Sequence, residues 1–160
     1  MEYYLECFDV ISVGTEAVVN FVEAGGNGGK NLVGALYGNR LNATVRNSQA
    51  ILVGAAGMGD RNAAIFSNTS ARVDVHAWGG GVVTIGYGGG TEEPFTYTNE
   101  QQLYSWGFGG TSSASPMIAG SAASIQGVRV AAGQLRMSPL EMRNLLVGTG
   151  TPQILGGHIG

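Results

Sequence analysis

Gly109-Gly110-Thr111-Ser112-Ser113-Ala114-Ser115-Pro116, running on into Met117-Ile118-Ala119-Gly120-Ser121-Ala122-Ala123, is the stretch on which the reading of this chain turns. From Ser112 to Val130 the apolar positions are small or aliphatic: Ala114, Ile118, Ala119, Ala122, Ala123, Ile125 and Val128. Pro116 lies near the start, where a missing N–H does no harm in a first turn, so the segment predicts a helix. Small residues on nearly every side predict that it is buried all round. A serine between glycines and a helix start has its hydroxyl at the positive end of the dipole, and the glycines let another backbone pass close by. That environment suits an attacking oxygen. Gly-Thr-Ser alone serves equally well as the N-cap of an ordinary buried helix, and at this level both readings stand.

Upstream, Glu16 to Ala24 contains Val18, Val19, Phe21 and Val22 and stops at Gly25-Gly26-Asn27-Gly28-Gly29, which predicts a buried strand entering a loop. Ala50 to Ala56 is aliphatic throughout and predicts a parallel strand covered on both faces. In Arg72 to Ala77, Val73, Val75 and Ala77 alternate with Arg72, Asp74 and His76, the period of a strand with one apolar face. Gly79 to Gly109, rich in Gly, Thr and Tyr, reads as hairpins or long surface loops. Downstream, Ser138-Pro139-Leu140-Glu141 supplies an N-cap, an N1 proline and a capping-box acid for a last helix ending at Gly148. Strands separated by helices, with no internal repeat, place the chain in the α/β class as one domain over residues 1–160.

Composition narrows the function. Of 160 residues 28 are Gly, 12% are charged and 44% hydrophobic, which suffices for a core, and four prolines without a G-x-y repeat exclude a collagen. A net charge of −3 with no basic stripe argues against nucleic acid as a partner. Cys7 is the only cysteine, and with two histidines there is no zinc-ligand spacing. The glycine runs Gly79-Gly80-Gly81, Gly88-Gly89-Gly90 and Gly107 to Gly110 fit no phosphate-binding pattern, because no G-x-G-x-x-G joins a strand to a helix and no Gly-Lys-Ser or Gly-Lys-Thr occurs. No cofactor and no metal are therefore expected. The N-terminus lacks a basic and then apolar leader, and no apolar run reaches the length of a membrane span.

Gly110-Thr111-Ser112-Ser113-Ala114-Ser115-Pro116 closely resembles the nucleophile segment of the subtilisin-like serine proteases, G-T-S-x-A-S-P before a small-residue helix. Ala24-Gly25-Gly26-Asn27-Gly28 resembles that family's A-A-G-N-x-G loop, Ile51-Leu52-Val53-Gly54-Ala55 its I-A-V-G-A strand and Ile65-Phe66-Ser67-Asn68 its S-F-S-N segment. Arg72 to Gly79 resembles V-D-V-x-A-P-G, with Trp78 in place of proline, and Met137 to Leu146 resembles the final helix. The resemblance implies a subtilisin-like, largely parallel sheet with flanking helices. It implies that Ser112 is the acylated nucleophile, that Asn27 donates to the oxyanion together with the Ser112 N–H, and that Ala24, Gly25 and Gly26 wall the pocket for the side chain before the scissile bond. The substrate so implied is a polypeptide, and a secreted location is typical of the family.

The family's acid, in a D-x-G strand end, and its base, in H-G-T-H-V-A-G, precede the serine, and neither string occurs here. Asp74 and His76 stand in the right order before Ser112, but both fall inside a stretch matching another family segment, and i and i+2 on a strand need not meet. Asp9 has no D-x-G context and His158 lies in the C-terminal tail. The expectation is thus a partial domain resembling the C-terminal half of a catalytic unit, with acid and base contributed by a missing N-terminal half or another chain. A catalytically inactive remnant acting as a binding or structural module is the alternative.

Overall fold

The computed structural model describes residues 2–59, 61–86 and 104–153. Helix α1 (Leu5–Glu16) leads to β1 (Val22–Ala24), β2 (Ile51–Ala56) and β3 (Val75–Trp78), which form a parallel sheet in the order β1-β2-β3. Val22 sits opposite Ile51, and Val53 opposite Val75. The strands β4 (Val82–Ile85) and β5 (Tyr104–Phe108) pair antiparallel in a separate sheet, and helices α2 (Thr111–Ala131) and α3 (Pro139–Thr149) follow.

Every residue of β2 is buried, as its unbroken aliphatic run requires of a central parallel strand. Ile51 and Val53 meet Ala114 and Ala122 of α2 and Met142 of α3 on one face, while Leu52 packs with Leu32, Leu41 and Val73 on the other. At α3 the capping box forms as the sequence predicts. The Ser138 hydroxyl accepts from the Glu141 N–H, and the Glu141 carboxylate accepts from the Ser138 N–H at 2.7 Å.

Four expectations need correction. The strand predicted over 16–24 is confined to Val22–Ala24, because α1 runs to Glu16 and the chain turns through Val18, whose φ is +63°. The stretch 72–77 does not present one polar face to water. Arg72 is buried, its guanidinium forked onto the Glu2 carboxylate at 2.8 and 3.0 Å and bonded to Asp74 at 2.7 Å, so both faces are covered and β3 begins only at Val75. Helix α2 starts at Thr111, which makes Pro116 its sixth residue; the proline withholds an N–H from the Ser112 carbonyl four residues back. Nor is α2 buried all round: Thr111, Ser113, Ala114 and Ala122 are buried, while Val128 and Val130 are exposed. Its small residues serve instead to bring one face close over all three strands.

Candidate active site

The carboxyl end of β1 and the N-terminus of α2 are built against each other. Past Ala24 the Gly25 N–H continues the ladder to the Val53 carbonyl at 2.8 Å. Gly26 then turns with φ +91°. Side chains are excluded at both glycines: a Cβ on Gly25 would lie 3.0 Å from the Val53 carbonyl oxygen, and one on Gly26 would lie 2.7 Å from Asn68 Nδ2. These glycines are therefore fixed by close packing, whatever they also do for a pocket.

Asn68 holds the loop from below. Its Nδ2 donates to the Gly25 carbonyl at 2.8 Å, its Oδ1 accepts from the Gly28 and Lys30 N–H groups at 3.1 and 2.9 Å, and its own N–H donates to Gly26. Sequence reasoning saw Asn68 only as part of a resembling string. Its role as the buried brace of this loop spans some forty residues of chain and has no local signature.

Thr111 joins the loop to the helix. Its hydroxyl accepts from the Gly26 N–H at 3.0 Å and donates to Asn27 Oδ1 at 3.0 Å, and its N–H donates to the same Oδ1 at 2.9 Å. A backbone N–H can only donate, so the carbonyl oxygen of the Asn27 amide faces Thr111 and the NH2 faces away. Gly110, at φ +79°, admits this arrangement, since a Cβ there would lie 2.8 Å from Asn27 Nδ2.

Ser112 is exposed as the second residue of α2, and its hydroxyl has no hydrogen-bond partner among the described residues. The adjacent Ser113 hydroxyl is committed to structure, donating to the Trp78 and Gly110 carbonyls at 2.9 and 3.0 Å. Ser112 and Asn27 are thus gathered at one helix N-terminus, with Ala24, Gly25 and Gly26 leading into it. Here the helix dipole favours negative charge, and the Ser112 N–H and Asn27 NH2 are both without acceptors among the described residues.

Asp74 and His76 belong to a different environment. Asp74 accepts from the Leu52 N–H at 2.8 Å and from Arg72, and Arg143 lies 3.8 Å away. Burial pushes its carboxyl up, against the pull of these cations. His76 lies over Gly54, and burial drives its imidazole below the ordinary histidine range. Its Nε2 has no partner among the described residues, and no hydrogen bond joins it to Asp74 or Ser112. Asp9 is exposed on α1; His158 and Gly88 to Gly90 lie outside the described residues. Among the described residues, no cluster of His, Cys, Asp and Glu could hold a metal ion, and no helix is long and apolar enough to cross a membrane.

Solved structures share this fold. A cold-adapted subtilisin-like serine proteinase matches 88% of the chain with a TM-score of 0.60 at 22% identity, and a protease from Pseudoalteromonas arctica PAMC 21717 matches 91% with a TM-score of 0.65 at 22% identity. A lanthipeptide protease matches 87% with a TM-score of 0.64 at 20% identity. The chain spans only 41, 40 and 45% of the length of these three proteins, respectively. No curated protein matches it. The profile of the subtilase family, Peptidase S8, matches residues 6–158, nearly the whole chain, and to that family the chain belongs.

Proposed function

We propose that this chain carries the nucleophile and oxyanion-binding half of a serine endopeptidase, with acid and base supplied by polypeptide outside residues 1–160. The observation that carries this reading is the convergence of an unbonded Ser112 hydroxyl with two free donors, the Ser112 N–H and the Asn27 NH2, at the N-terminus of α2. In the reaction Ser112 Oγ attacks the scissile carbonyl and its proton passes to the incoming base. The carbonyl oxygen takes up the negative charge between the two donors. The same proton then goes to the leaving amine as the C–N bond breaks, and water releases the acyl group by the reverse route. Asn27 is polarised for this task, because its carbonyl end receives two hydrogen bonds from Thr111 and so its NH2 end is held toward the site. Ala24, Gly25 and Gly26 form the chain beside which the substrate residue preceding the scissile bond would lie.

Without a base a serine hydroxyl is a poor nucleophile at neutral pH. The chain alone should give only residual hydrolysis, and a fluorophosphonate probe should label Ser112 feebly. Expressed together with the polypeptide that carries the acid and base, it should label strongly, and Ser112→Ala should abolish the label. Strong labelling and turnover by the chain alone would refute the division of labour, with His76→Ala the first variant to examine. The second reading, an inactive remnant serving as a binding or structural module, is favoured by the lack of any base hydrogen-bonded to Ser112 among the described residues. Failure of any added polypeptide to raise labelling would select it.

A further inference from the structure

A cavity of about 540 Å³ opens along the outer edge of β3, within the size range of ligand pockets. It straddles the strand. Val75 and Ala77 face the α2 side, where Ile118 and Val147 join them, whereas His76 lines it from the opposite face; Arg61 also lines it. Among the described residues β3 has no neighbour beyond it. The Asp74 N–H donates inward to Leu52 at 2.9 Å, so the alternation of a parallel ladder turns the N–H and C=O groups of Val75 and Ala77 outward into the cavity.

Three further groups there lack partners. Among the described residues His76 Nε2 is buried and unbonded, and so are both ends of the Gln153 amide, a donor and an acceptor together. Arg61, exposed at the cavity, has no ion pair among the described residues. A row of outward backbone groups with apolar walls and unsatisfied polar atoms in the same lining matches an extended polypeptide, whose backbone completes the edge and whose side chains alternate between the faces. The uncompensated guanidinium adds a preference for a carboxylate. One lining residue ties the groove to the candidate active site: the Trp78 carbonyl accepts from the hydroxyl of Ser113, next to Ser112.

We propose that this groove takes an extended stretch of the polypeptide substrate, remote from the scissile bond, which adds to β3 as a further strand and sets a carboxylate against Arg61. That the occupant is substrate rests on the proteolytic reading; the groove itself does not.

The test uses the full chain carrying Ser112→Ala and Trp106→Phe, so that nothing is cleaved and Trp78 alone reports by fluorescence. The probe is acetyl-Thr-Val-Thr-Val-Thr-Glu-amide. It should bind and slow amide exchange at Val75 and Ala77. Replacing its glutamate by glutamine should weaken binding roughly two- to fivefold, the range of an exposed ion pair, and Arg61→Gln should do the same for the glutamate peptide only. A proline in place of the second valine, which removes a strand donor, should abolish binding. Equal affinity for the proline peptide, no slowing at Val75 and Ala77 at saturation, or an Arg61→Gln effect indifferent to the glutamate would each overturn the groove. In a form that hydrolyses peptides, appending the probe sequence to a cleavable peptide should lower KM and leave kcat unchanged; an unchanged KM would overturn the assignment to substrate. Binding with no labelling of Ser112 in any form would overturn the proteolytic reading alone.

Discussion

Replacing Gly110 by alanine acts on the candidate site at its hinge. At φ +79° and ψ −179° Gly110 occupies a region essentially reserved for glycine, and a non-glycine residue there costs about 1–3 kcal/mol. The new Cβ would also sit 2.8 Å from Asn27 Nδ2 and 3.3 Å from its Oδ1, so the amide must swing away. That movement breaks its hydrogen bonds to the Thr111 N–H and hydroxyl, each worth about 0.5–1.5 kcal/mol net, with the lower end appropriate because Asn27 is exposed to water. The sum is about 2–4 kcal/mol, or a fall of about 4–16 °C in Tm for a chain of this size. Urea unfolding of Gly110→Ala, Asn27→Ala and the double variant separates the contributions. In the Asn27→Ala background the clash and the amide bonds are already gone, leaving only the backbone strain, so the two changes should couple by about 1 kcal/mol. Equal costs in both backgrounds, within about 0.3 kcal/mol, would show that Gly110 and Asn27 do not constrain each other. In any form that hydrolyses peptides, both single variants should also lose the amide's contribution to the oxyanion, about 10²- to 10³-fold in kcat for one such donor.

Met142, fully buried between α3 and β2, should cost about 2–5 kcal/mol when cut to alanine, read by denaturant titration. Arg72→Met strands the buried Glu2 carboxylate and should destabilise by about 3–5 kcal/mol, whereas combining it with Glu2→Gln should recover much of that loss. Ser138→Ala removes the N-cap of α3 and should cost about 1 kcal/mol, with Ser138→Thr nearly neutral. For His76 the folded imidazole titrates below its ordinary value, so the unfolded chain takes the proton first as pH falls past about 6.5, and stability declines from there toward the folded value. Comparing wild type with His76→Phe across pH 5 to 7 should show that slope in the wild type only; parallel profiles would refute it.

What was legible in the sequence was whatever short-range chemistry dictates. The aliphatic run of β2 needs burial on both faces, and Ser138-Pro139-Leu140-Glu141 is a complete helix start within four residues. Ser112 and Asn27 stood out because glycine, serine and asparagine in those strings serve backbone geometry and polar chemistry together. The remainder depends on distant partners. Helix α1 leaves Val10 and Val13 exposed and buries only Ile11 and Thr15, so its apolar pattern has no clean period, and the valines that follow it carry the stronger local signal. The buried fork from Arg72 to Glu2 crosses seventy residues of chain, and an arginine alternating with valines looks like a solvated face until its partner is known. Asn68 is the same case at the site itself.

That long-range character bears on how the chemistry divides. The contacts that hold the Asn27 amide and the start of α2 among the described residues come from distant parts of the sequence: Asn68 beneath the loop, Thr111 across it, Gly110 making room, and Ser113 tying α2 to β3. On the proposed reading, an oxyanion site built this way would be preorganised by folding and would need no reorganisation when charge develops. Proton transfer is separate, because it requires a group within hydrogen-bond reach of Ser112 Oγ; of the two residues that stand before Ser112 in the family's order, Asp74 is held by Arg72 and His76 lies over Gly54, and neither is hydrogen-bonded to Ser112. On the proposed reading the two functions are separable by experiment. Labelling of Ser112 against increasing amounts of a polypeptide bearing the base reports the arrival of the base alone, and the same titration on Asn27→Ala should reach its midpoint at the same concentration with a lower labelling rate at saturation. A shifted midpoint would mean that the oxyanion loop is completed only when the partner binds, and that Asn68 and Thr111 do not suffice to hold it.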